Sequence, residues 1–157
     1  MLTPTSGFND AYAEVVLVHQ IAASPDAVWA VVGDWSLREL GKGIVSRTEI
    51  VGSGVGALRR LEFATQVGPG YIVERQIDRD DERRSYAYSV DDFGPLPWAD
   101  YWGGWSVRGA GPSRSIAVFW ARILPAGGTR ADAIAISREN QRQAFARLDV
   151  LFPPDRS

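Results

Sequence analysis

Cysteine is absent from the 157 residues. Its absence removes disulfides, thiolate nucleophiles and cysteine-held metal, and it fits a reducing cytoplasm, the expected location. Histidine occurs once, at His19, which excludes a histidine-rich metal site and leaves a single imidazole for acid/base work. Lysine also occurs once, at Lys42, so basic charge is carried by arginine. With a net charge of −2 and no run of like charges, the chain lacks the electrostatic footprint of a nucleic-acid binder or a polybasic membrane-surface segment. No window approaches the roughly 18 apolar residues of a membrane span, and Met1 to Ala13 has no basic stretch leading into an apolar one. Neither a span nor an export signal is expected.

What remains suits one folded domain. Apolar residues make up 45% of the chain, too many for disorder, and the length is too short for two ordinary cores. Residues 1–13 mix small and polar types without period and read as a loose arm, 14–152 as a single domain and 153–157 as a tail. Val15 to Val18 and Ile21 form a β-branched strand. Ser24-Pro25-Asp26 supplies an N-cap serine with proline at the first helical position, opening a short helix to about Val32; a second short helical piece is read at Ser36 to Leu40. Strands follow near 43–51, 56–66, 70–79, 83–92, 99–109 and 114–124, separated by short Gly, Pro or Asp clusters that join antiparallel neighbours. Thr129, with Asp132 three residues on, caps a closing helix from about Arg130 to Leu151, with apolar residues at Ala133, Ile136, Ala144, Phe145, Leu148 and Leu151.

Strand alternation sorts the side chains into faces. Ala57, Arg59, Leu61 and Phe63 share one; Tyr86, Tyr88 and Val90 another; Tyr101, Gly103, Trp105 and Val107 a third; Ile116, Val118, Trp120 and Arg122 a fourth. Six Trp, five Tyr and six Phe in so small a domain suggest that these aromatics line a pocket rather than only fill a core. On its own strand, Glu74 alternates with Val73 and Ile77, a pattern that points it to solvent. Arg59, on an apolar face, needs a partner: an ion pair with Glu74, or an anionic oxygen on a ligand. Arg122 reads as a solvated rim residue. His19 reads either as a hydrogen-bonded core or rim histidine or as a proton carrier. Gly52-Ser53-Gly54-Val55-Gly56 precedes a strand, not a helix, and is a turn rather than a phosphate loop.

Several local features taken in order resemble the START-related SRPBCC superfamily of helix-grip proteins, which includes polyketide cyclase/dehydratase-like proteins and the abscisic-acid receptors. They are Ile21-Ala22-Ala23-Ser24-Pro25 with Val28-Trp29, Gly54 to Arg59, Glu74-Arg75 followed by Asp80 to Arg84, Tyr86 and Tyr88, Tyr101, and Trp120. Two departures are Ser24, where an alanine usually precedes the proline, and a closing helix with a polar middle from Ser137 to Gln143. The resemblance implies an α+β fold: a curved antiparallel sheet of about seven strands wrapped around the long C-terminal helix, with two short helices after the first strand. It implies a cavity, with Glu74 turned inward and the loops Gly68-Pro69-Gly70 and Gly94 to Trp98 closing over a ligand. The expected function is binding of a hydrophobic small molecule, polyketide-like or otherwise polycyclic, with cyclase, dehydratase or isomerase chemistry by proton transfer that needs no cofactor and no metal. Glu74, Arg59, His19 and Tyr88 are the candidates for chemistry; Leu61, Phe63, Tyr86, Tyr101, Trp105, Val118, Trp120 and Ile136 are the candidates for ligand contact. A non-catalytic carrier or sensor of lipid, isoprenoid or hormone-like ligands uses the same parts, and a protein-interaction module needs no cavity at all. Oligomeric state stays open, a homodimer included.

Overall fold

The structure, a computed structural model, describes residues 11–63 and 70–154. Strand β1 (Ala13–Ile21) is followed by helix α1 (Pro25–Val32), strands β2 (Val45–Val51), β3 (Leu58–Phe63), β4 (Gly70–Asp80), β5 (Ser85–Asp92), β6 (Trp98–Gly109) and β7 (Ser115–Pro125), and helix α2 (Arg130–Leu151). Strands β2 to β7 form a meander, each pairing antiparallel with the next in sequence. β1 closes the other side against β7, giving the order β1-β7-β6-β5-β4-β3-β2 in one curved antiparallel sheet. Among the described residues no helix is long and apolar enough to cross a membrane. Most of the expected N-terminal arm, the loop Gly68-Pro69 and the last three residues lie outside the described residues.

Local chemistry explains the helix ends. The Ser24 hydroxyl accepts from the Ala27 amide at 3.3 Å with Pro25 at the first turn, so the departure from alanine supplies a cap. At α2, Thr129 and Asp132 form a reciprocal capping box. One expectation fails: Ser36 to Leu40 is not helical but a series of turns, with Leu37 at φ +55°. Asp34 diverts the chain there, its carboxylate accepting from both the amide and the hydroxyl of Ser36, a local bond that competes with helix.

α2 packs against β1 and β7. Phe145 and Leu148 are buried there, each contributing about 1.5–3 kcal/mol by removal from water. Two residues of the polar middle turn inside: Ser137 and Gln141 are buried while Arg138 to Asn140 and Arg142 stay exposed, and the Gln141 side-chain amide donates to the Val15 carbonyl at 3.1 Å. This bond ties the helix to β1, so the polar stretch sets the register instead of breaking the apolar stripe.

Candidate active site and ligand cavity

Register brings the two charged candidates together. Arg59 on β3 and Glu74 on β4 are cross-strand partners, and the Arg59 Nε donates to Glu74 Oε1 at 2.7 Å. Their side chains are 3% and 7% exposed, so this is an ion pair taken out of water. Its surroundings are aromatic: the guanidinium lies 3.8 Å from the centre of the Trp35 ring and 5.0 Å from that of Tyr88, and its Nη1 donates to the Trp35 carbonyl at 3.2 Å. The inward turn of Glu74 inverts the solvent-facing reading of its strand. Ile72, Glu74 and Gln76 are buried while Ile77 is exposed, with a register shift between Gln76 and Asp78. Arg59 makes the inversion possible, because a carboxylate can enter the interior only with a partner.

Burial raises the affinity of Glu74 for its proton above the usual carboxylate range, against the opposing pull of Arg59. Burial works against the charge of Arg59, but the facing carboxylate prevails and Arg59 holds its proton more firmly than a free arginine. The site therefore combines a permanent cation with a carboxyl group that takes up a proton readily.

Beside the pair, the Tyr88 and Tyr101 hydroxyls meet at 3.1 Å. Trp98 stacks on Tyr101 at 5.0 Å, and Trp105 is held between Phe119, at 4.2 Å, and Phe145, at 5.4 Å. Burial raises the pKa of Tyr88 and of Tyr101. Both are neutral phenols at physiological pH.

These groups border a cavity of about 990 Å3 between sheet and α2. Arg59, Leu61, Phe63, Glu74, Tyr88, Tyr101, Trp105 and Ile136 all line it. Four candidates lie elsewhere. Tyr86 is buried beside Trp29 and Trp35, outside the lining, where burial raises its pKa against the opposing pull of Arg59. His19 is on β1, where its Nε2 meets both carboxylate oxygens of Asp149 at 2.9 Å and its ring packs on Phe145; it is a half-exposed histidine that is not among the cavity-lining residues. Val118 and Trp120 require a correction. On β7 the buried set is Ser115, Ala117, Phe119, Ala121 and Ile123, so Val118 and Trp120, with Ile116 and Arg122, face the outside of the sheet. Both parities of this strand carry large apolar side chains, and pairing with β1 and β6 selects the Phe119 face. Arg122 lies over Tyr12 on that outer face, 4.4 Å from the ring centre.

Sequence reasoning missed several lining residues. Leu37 to Val45 borders the cavity, and Arg147 on α2 holds it by donating to the Glu39 carbonyl at 2.9 Å. Ile72, Leu96, Trp98 and Phe119 also line it, as do Asn140, Gln143 and Arg147 on α2. Leu96 and Trp98 belong to the loop Gly94 to Trp98 that the family resemblance sets over a ligand, although neither was singled out for contact; the Leu37 to Val45 segment had no signal beyond its glycines.

The comparisons accord with this geometry. No curated protein matches the chain in sequence. Among solved structures, the protein XoxI from Bacillus cereus is 21% identical with a TM-score of 0.78, covering 89% of this chain and 95% of its own. An uncharacterised protein from Bacillus thuringiensis is 20% identical with a TM-score of 0.79, covering 90% and 100%. Truncated norcoclaurine synthase from Thalictrum flavum is 20% identical with a TM-score of 0.68, covering 92% and 96%. At such identities the likeness is one of fold. The family model described as polyketide cyclase / dehydrase and lipid transport matches residues 12–151, and the chain belongs to that family.

Proposed function

We propose that the cavity binds a small, largely apolar molecule bearing an acidic or enolisable oxygen, and that Glu74 moves a proton on it while Arg59 holds the oxyanion. The observation that carries this reading is the Arg59–Glu74 pair, buried in an aromatic cavity. A buried ion pair is a poor stabilising device, since its desolvation cost rivals its attraction and apolar replacements often stabilise by about 1–4 kcal/mol. Its presence is better accounted for by chemistry. An incoming oxygen competes for Arg59 and frees Glu74, which then removes the proton from carbon next to a carbonyl. The electron pair moves onto the carbonyl oxygen, and Arg59 stabilises the resulting enolate. Returning the proton at another position gives an isomerase; loss of the β-hydroxyl as water, carrying away the proton that Glu74 took up, gives a dehydratase. Norcoclaurine synthase, an enzyme on the same fold, is consistent with catalysis in such a cavity.

The test is exchange of the α-protons of 2-tetralone in heavy water, followed by NMR, with binding measured separately by calorimetry. Wild type is expected to exchange above the buffer rate, and Glu74→Gln to lose about 10²-fold or more with binding retained. Binding without exchange in wild type would refute the catalytic role and leave a carrier of apolar acids.

A further inference from the structure

We infer that the Tyr88–Tyr101 hydroxyl pair is a second polar subsite of the cavity, one that receives a neutral carbonyl oxygen. The ligand is then an apolar ring skeleton with two distinct oxygens, an acidic one for Arg59 and a separate carbonyl for the phenols. The inference rests on the proposed reading of the cavity as a ligand site and adds the class of molecule.

Proton counting comes first. Two hydroxyls 3.1 Å apart share one hydrogen bond, which uses one O–H; the accepting hydroxyl keeps its own proton, and that proton has no other partner among the described residues. Both side chains line the cavity. One donor is thus left over, at the surface a ligand would occupy.

The strand beneath is built for the pair. Gly103 on β6 is the cross-strand partner of Tyr88, and a Cβ at Gly103 would lie 2.8 Å from the Tyr88 hydroxyl, 2.8 Å from its Cζ and 2.8 Å from the Tyr101 hydroxyl. Any side chain there would drive the hydroxyls apart, so bare backbone is the floor on which they meet. Trp98, stacked within 10° of parallel on Tyr101, fixes the second ring.

The two subsites differ in what they accept. Arg59 is a permanent cation and suits an anion; the phenols are neutral donors and suit a carbonyl. They are close enough for one molecule to span, because the Arg59 guanidinium lies 5.0 Å from the centre of the Tyr88 ring.

Three probes separate the subsites in calorimetric titrations: 2-naphthoate offers only an anion, 1-tetralone only a carbonyl, and ionised 2-hydroxy-1,4-naphthoquinone both. Wild type should bind the quinone more tightly than the naphthoate. In Tyr88→Phe/Tyr101→Phe, quinone affinity should fall about tenfold, the scale of one lost hydrogen bond to an anionic ligand, while naphthoate affinity holds. Each single Phe variant should lose less, roughly threefold or under, because the surviving hydroxyl is released from its partner and can donate to the ligand. Gly103→Ala, which displaces both hydroxyls without removing them, should also erase the preference and serves if the double variant does not fold. Arg59→Met should weaken quinone and naphthoate alike. A double variant that keeps the quinone preference, or weakens both probes equally, overturns the carbonyl subsite while leaving the Arg59 reading intact. A wild type that binds none of the three overturns both.

Discussion

Removing one partner of the Arg59–Glu74 pair should cost far more than removing both. Glu74→Leu leaves a guanidinium that cannot shed its proton in a site where its side chain is 3% exposed, and the expected loss is about 3–5 kcal/mol. For a chain of this size that lowers Tm by on the order of 6–20 °C. Arg59→Met should cost less, about 1–3 kcal/mol, because the stranded Glu74 escapes by taking a proton. Arg59→Met/Glu74→Leu should be near wild type or more stable, since Trp35 and Tyr88 then pack on apolar side chains. Urea unfolding at pH 7 gives all four corners of the cycle, with the slope on denaturant checking that the unfolded state is unchanged. The pH dependence has a definite sign. Because burial raises the Glu74 pKa, the folded state holds that proton more tightly than the unfolded one. The stabilisation is complete below the ordinary carboxylate value of about 4.3 and is lost as pH rises through the raised value. Relative to Glu74→Gln, wild type should therefore be best at acid pH. A double variant as damaged as the two singles together, or a difference that grows with pH, would refute this reasoning.

Two further outcomes follow from the fold. Gly94→Ala should lower Tm by several degrees in thermal unfolding, because Gly94 sits at φ +51° and a Cβ there would collide with the Tyr71 carbonyl oxygen; a stability unchanged within about 0.5 kcal/mol would contradict that geometry. Trp98→Ala should weaken binding of naphthalene-sized probes, whereas Trp120→Ala, on the outer face, should leave it within about twofold at a fixed protein fold; the reverse result would return Trp120 to the cavity.

Strand and turn placement was legible along the chain because it depends on neighbours in sequence. Gly, Pro and Asp clusters fix where the chain reverses, and the Thr129–Asp132 cap closes within three residues. Facing was legible only where the two parities differ in chemistry, as on β6, where Tyr101, Trp105 and Val107 oppose Trp102, Ser106 and Arg108. On β7 both parities are apolar, and register against β1 turned Phe119 inward and Trp120 out. Alternation alone sends Glu74 to solvent; its inward turn needs Arg59 across the strand pair, a contact fifteen residues away. Gln141 reads as a break in an amphipathic helix until the Val15 carbonyl, 126 residues earlier, is brought beside it. The sequence by itself determined the meander, the caps and the stock of polar groups. Tertiary structure alone decided which of those groups meet in the cavity, because burial of a charge or an amide is set by its partner, and the partners here are distant in the chain.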